Sequence, residues 1–243
     1  MRHKVEKFSL FAVAASGMLL IAVGCGQPKP AGMSPERAAE LHSLQEKREN
    51  HAKQLRGTDV KQLAEELAAD SEKGREPFNS AAYRETVSRG EGAAGDLKQA
   101  LTRNDQSSLL TLLALRRVSP AQYHSLEPAF RVKVLVSALQ KSKYFNTWGI
   151  PCVYWEDAAN AIIEEGSAAE LALRPLLRDQ RPAPVFGSEG TTIDAQFHYR
   201  VSDYAFALQN EIRHQKCEPM ANPGDRDRAM EQTIKEKPSQ KKK

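Results

Sequence analysis

The feature that most constrains this chain is an internal echo. TVSRGEGAAGDLKQAL, residues 86–101, aligns without a gap on IIEEGSAAELALRPLL, residues 162–177, at an offset of 76. Gly90 meets Gly166, Ala93 meets Ala169, Leu97 meets Leu173 and Leu101 meets Leu177. Asp157 in WEDAANAI recurs as Asp203 in VSDYAFAL, 46 positions later. Each unit reads as helix, glycine turn, helix, with small residues where the helices cross. A hairpin of this kind cannot bury its apolar face alone, so at least three must stack.

Helix signals elsewhere agree. Ser34-Pro35 pairs an N-cap with proline at the first helical position, and Leu41, Leu44, Ala52 and Leu55 follow as far as Gly57. Thr58 is the expected cap of a second helix, in which Val60, Leu63, Ala64 and Leu67 keep the i, i+3, i+4, i+7 pattern. Asn79-Ser80 opens a third, Asp105 precedes SSLLTLLALRRV, and Ser119-Pro120 starts another turn. In AFRVKVLVSALQKSK, Val132, Leu135, Val136 and Leu139 share a stripe, with Phe130 and Val134 beside it.

With its Asp-Ala-Ala, Leu/Ile-x-x-Gly and late leucine pairs, WEDAANAIIEEGSAAELALRPLLRD resembles the HEAT-like repeats of helical-hairpin solenoids. The resemblance spans 80–215 and is strongest over 130–208. It implies an all-α fold, an irregular HEAT-like α-solenoid of stacked hairpins, and it brings no catalytic residue with it. The competing architecture is an irregular helical bundle.

The N-terminus addresses location. MRHKVEK is followed by an apolar run from Phe8 to Val23, the shape of an export signal. The run is shorter than the about 20 apolar residues of a membrane span. It ends Ala22-Val23-Gly24-Cys25, which resembles the lipobox of bacterial lipoproteins, with Ala22 where leucine is more usual. The resemblance implies that Cys25 is the lipidated first residue of the mature protein, with 1–24 as signal peptide. Gly26 after the cysteine implies the periplasmic face of an outer membrane, where the organism has one. Two or more acyl chains hold a protein stably on a membrane where one does not. GQPKPAGM then reads as a tether over 25–33.

Without residues 1–24 the chain holds 32 Lys/Arg against 30 Asp/Glu, and its last twenty residues hold seven against four. The body is thus neutral and offers no electrostatic footprint for nucleic acid. The division expected from sequence is an N-terminal helical segment at 34–79, repeats at 80–215 and a disordered basic tail at 216–243. Once Cys25 is assigned to lipid, Cys152 and Cys217 remain. Export permits a disulfide between them, and a buried thiol with a loose partner is the equal alternative.

Catalytic motifs fail on inspection. Gly90, Gly92 and Gly95 spell G-x-G-x-x-G, but a helix precedes them and no acid follows at the right distance. VFGSEG lacks the first glycine of a nucleophile elbow, because position 186 is Phe. The histidines have no metal spacing and Cys152 has no C-x-x-C partner, so neither metal nor cofactor is called for.

The segment 179–200, DQRPAPVFGSEGTTIDAQFHYR, reads as one long ordered loop between helices, and loops of that length are often functional. Ile193, Ala195, Phe197, Tyr199 and Val201 alternate with polar residues, which predicts an extended strand of chain on an apolar surface. Ten of the sixteen aromatic side chains fall between 144 and 206, so two readings stand. The region is an aromatic cap over the core, or it is a groove where Trp148, Glu189, Asp194, His198 and Arg200 meet a ligand or partner. The expected function is a lipid-anchored, exported scaffold for a protein partner. The alternative is an envelope hydrolase, with Asp194 and His198 as acid and base.

Overall fold

The computed structural model describes residues 34–103 and 109–235, apart from the side chains of 102, 103, 188, 189, 191 and 194. The described residues are mostly helical. Two compact units meet between Ser43 and Leu44, inside the first helix, and no division falls at the expected 79/80 boundary. The reason is that residues 60–67 contribute Leu63 and Leu67 to the same core as the helices that follow.

Helix α1 (Pro35–Leu55) is held at its start by Ser34 Oγ, which accepts from the Arg37 amide at 3.2 Å. Its one buried residue is Leu55. Helix α2 (Val60–Glu72) is capped by Asp59, whose carboxylate accepts from Gln62 N at 2.8 Å. Thr58, the expected cap, instead donates to Gln54 O and closes α1. Ser80 caps α3 (Ala81–Ser88) by accepting from Tyr83 N, and a 3-10 turn at Gly90–Ala93 leads into α4 (Ala94–Arg103). Asp105, read as a cap, lies outside the described residues. Helix α5 (Leu109–Val118) buries every residue from Leu110 to Leu115 and is covered all round. After α6 (Pro120–His124), α7 (Pro128–Lys141) buries Val132, Val134, Leu135 and Leu139.

A short antiparallel ribbon follows, β1 (Gly149–Ile150) with β2 (Tyr154–Trp155). Then come α8 (Asp157–Glu164), α9 (Ser167–Leu173) and a 3-10 turn at Arg174–Arg178. The internal echo has a structural counterpart here. Gly90 and Gly166 adopt φ of +62° and +60°, a conformation that side chains with a Cβ rarely take. Ala93 and Ala169, Leu97 and Leu173, and Leu101 and Leu177 are buried in both copies. Each such leucine contributes roughly 1.5–3 kcal/mol by leaving water. The copies therefore match where the chain turns and where it packs.

The long loop predicted at 179–200 is not one. Residues Ser188–Phe197 within it form helix α10, and the irregular parts are 179–187 and 198–200. The period of two misled because Ile193 and Phe197 are also four residues apart. Both pack on the core from a helix, while Ala195 between them is exposed. Tyr199 is buried in the turn beyond, where Ala183 N donates to Tyr199 O at 2.8 Å. Helix α11 (Val201–Ile212) is then buried without a break from Val201 to Asn210.

The C-terminal segment departs from the sequence reading as well. Residues 223–235 form α12 (Pro223–Lys235), with Arg226, Met230 and Thr233 buried along one face. Composition concealed this stripe, because one of its three members is charged. Residues 236–243 lie outside the described residues. Cys152 and Cys217 form a disulfide that fastens the arm before α12 to the ribbon turn.

Candidate functional site

Around the second helix end the chain builds a concave surface. Helix α2 stops in a Schellman turn, in which Arg75 N donates to Asp70 O and Gly74 N donates to Ser71 O. Gly74 sits at φ +67°, and a Cβ there would stand 3.4 Å from the Tyr144 ring. The turn places Lys73 outward, while Arg75 is tied to the buried Asp70 carboxylate at 3.2 Å. Leu44, Lys47, Arg48 and His51 of α1 face the same space, as do Glu76, Asn79, Tyr144, Asn146 and Phe186. The groove so formed has a volume of about 600 Å³.

Its aromatic wall is deliberately held. The Asn146 amide donates to Phe186 O at 2.7 Å, and its oxygen accepts from Phe186 N at 3.0 Å. This two-point clip sets the Phe186 ring edge-on to Tyr144 with centroids 4.9 Å apart. Both rings stay largely in solvent, 55% and 45% exposed. A second cavity of about 270 Å³ adjoins at Gly74, Arg75 and Tyr144, with Leu109, Val134, Ala138 and Trp148 as apolar lining and Lys141 and Lys143 as lining cations. Among the described residues Lys47, Arg48, Lys73 and Lys143 have no ion-pair partner. Chemically the surface can bind an anion beside an apolar group.

Of the five residues singled out from sequence, the side chains of Trp148, His198 and Arg200 are described. Trp148 is fully buried and donates from Nε1 to Ser142 Oγ at 2.9 Å, so it is a back wall of the cavity and no exposed anchor. Arg200 bonds Asp203 at 3.0 Å and Asp227 at 2.8 Å, and also reaches Gln180. The Asp203 carboxylate holds its guanidinium protonated well beyond the ordinary range. His198 is exposed at φ +46° between α10 and α11. The side chains of Glu189 and Asp194 lie outside the described residues, as does Cys25.

Around Arg200 the charges are spent on the fold. Asp203 Oδ2 accepts from Arg200 N at 2.8 Å and closes the start of α11, while Asp203 Oδ1 accepts from Arg226 Nε at 3.0 Å. Arg226 further donates to Phe197 O and Met220 O and lies 5.4 Å over the Tyr199 ring. Burial pushes the Tyr199 phenol up to about 12. A second closed set joins α6, α7 and α8, with Arg131 on Glu165 at 2.6 Å and Tyr123 donating to Glu165 at 2.8 Å. Burial first, and that hydrogen bond next, raise the Tyr123 phenol above its ordinary value.

The groove cations escaped the sequence reading because each sits beside acids. Glu46-Lys47-Arg48-Glu49 and Glu72-Lys73-Gly74-Arg75-Glu76 are neutral in sum and read as solvated helix surface. The usable signal was their likeness to one another, together with the exposed tip at Phe186. Among the described residues no group of His, Cys, Asp and Glu could hold a metal, and no helix is long and apolar enough to cross a membrane. Comparison with known proteins finds no matching family model, no matching curated protein and no matching solved structure.

Proposed function

We propose that this protein is an exported, lipid-anchored lipoprotein whose helical hairpins stack as an irregular HEAT-like solenoid and serve as a scaffold for a protein partner. The observation that carries the reading is the groove beside Tyr144 and Phe186, with its unpaired cations and its clipped aromatic wall. Side chains of this kind are typical anchors at protein interfaces. The matched hairpins around Gly90 and Gly166 support a repeat architecture, and repeats of that type present extended binding surfaces. The lipobox-like LIAVGCG supports anchoring through Cys25, with membrane attachment resting on more than one acyl chain.

The test has two arms. Mass analysis of the mature protein should find Cys25 first and lipid-modified, and Cys25→Ala should leave an uncleaved precursor. A mature chain beginning elsewhere contradicts the anchor. Crosslinking in cells followed by capture from washed membranes should recover a discrete protein adduct. A chain that stays free of adducts under conditions that crosslink other envelope proteins contradicts the scaffold.

A further inference from the structure

We propose that the groove binds an acidic stretch of polypeptide, and that one apolar side chain of that stretch enters the cavity behind Tyr144. The inference rests on the scaffold reading for its partner being a protein, and on the groove itself for the chemistry of the segment.

Charge comes first. Lys47, Arg48, Lys73, Lys141 and Lys143 stand around the two adjoining hollows against Glu72 and Glu76 alone, while Arg75 is already engaged by Asp70. Cations elsewhere on the described chain are commonly paired, as Arg116 is with Glu164, Arg131 with Glu165 and Arg213 with Glu170. A local excess of unpaired cations on an otherwise neutral body attracts carboxylates and repels basic segments. Because the cations are exposed, the attraction is screened by salt.

Shape supplies the second half. The smaller cavity is lined by Leu109, Val134, Ala138 and the buried Trp148, with Ser71, Ser142 and Thr147 between them. Ser142 and Ser71 are already engaged, the first accepting from Trp148 Nε1 and the second from Leu110 N. With those hydroxyls engaged, the apolar patch of Leu109, Val134, Ala138 and Trp148 can take an aliphatic side chain, while Lys141 and Lys143 beside it can take a neighbouring carboxylate. The ring pair points the same way. Tyr144 and Phe186 lie 80° apart and pack edge to face on each other. That makes a wall against which a peptide can lie.

The two hollows meet at Gly74, so a single extended segment can use both. Its carboxylates lie along Lys47, Arg48 and Lys73, and its apolar residue turns in beside Tyr144. The Asn146 clip keeps Phe186 in place before the segment arrives, which reduces the ordering that binding would otherwise demand.

The experiment uses the full chain and two labelled peptides, one glutamate-rich with a single central leucine and one of glutamates only. Fluorescence anisotropy should show the leucine peptide binding at least about tenfold more tightly than the other, with both affinities falling as salt rises. Lys47→Glu with Lys73→Glu should weaken the leucine peptide by more than about tenfold while the thermal melt stays in place. Ala138→Met, which fills the cavity without touching charge, should reduce the leucine peptide to the level of the all-glutamate one. Unchanged binding by the charge-reversed protein overturns the proposal, and so do equal affinities for the two peptides. Vesicles of anionic lipid that bind through Lys47 and Lys73 when neither peptide does would assign the groove to a membrane surface and overturn it too. Peptide binding without any adduct in cells would remove the scaffold reading alone. Adducts in cells without peptide binding would remove the acidic segment alone.

Discussion

Two charged regions of this molecule differ in how their cations are partnered. Around α11 and α12, Arg200, Asp203, Arg226 and Asp227 satisfy one another, and Arg226 and Asp203 are nearly inaccessible. Beside the end of α2, Lys47, Arg48 and Lys73 are exposed and lack partners among the described residues. The first set holds a C-terminal helix that has few apolar side chains of its own. The second has no such partners among those residues and is the set we propose to bind. Whether a charge is spent on the fold is settled by its partners, and for Arg226 the partner, Asp203, lies 23 residues away.

The sharpest way to break the comparison is Arg226→Ala. It leaves the Asp203 carboxylate buried beside fewer donors, and losing one member of such a pair costs about 3–5 kcal/mol. Urea denaturation should show that loss. A change under about 0.5 kcal/mol would mean that the cluster does not hold α12. Replacing Cys217 by serine frees the same arm by another route, and roughly 2–4 kcal/mol is the typical cost of losing such a bridge. If the protein is equally stable with and without reductant, the disulfide does not restrain the arm.

Two buried tyrosines give a pH signature. Tyr199 is raised to about 12 from an ordinary 10, chiefly by burial, and Tyr83 likewise. With the folded value above the unfolded one, the unfolded chain loses its phenolic protons first. Stability should hold below about pH 10 and fall as pH rises from there through about 12. Tyr199→Phe should flatten part of that fall, as read by denaturation at several pH values. An undiminished slope in the variant would show that Tyr199 is not desolvated. The smallest effect belongs to the groove, where Lys47→Ala with Lys73→Ala should shift stability by less than about 0.5 kcal/mol. A larger loss would make these lysines structural, and the contrast would fail.

Much of the helical layout was legible because periodicity and caps are local. Ser80, Ser119-Pro120 and the glycines at 90 and 166 stand where the chain turns. What failed needed tertiary information. Ile193 and Phe197 satisfy a period of two and a spacing of four equally well, and only the core beneath them decides for a helix. Arg226 read as tail charge because the carboxylate that draws it inward, Asp203, lies 23 residues earlier. Trp148 read as an anchor because conspicuous aromatic side chains are typical anchors, and its burial and its bond to Ser142 show a packed role instead. The groove was the least legible part, since it joins residues near 47, 73, 144 and 186.

The contrast between folding charges and binding charges is tested most directly by a photo-crosslinking residue placed at Tyr144 in cells. The account predicts a discrete protein adduct in the parent chain, and its disappearance when Lys47→Glu and Lys73→Glu are introduced into a protein that still melts at the parent temperature. An adduct of undiminished yield in the charge-reversed chain would contradict it.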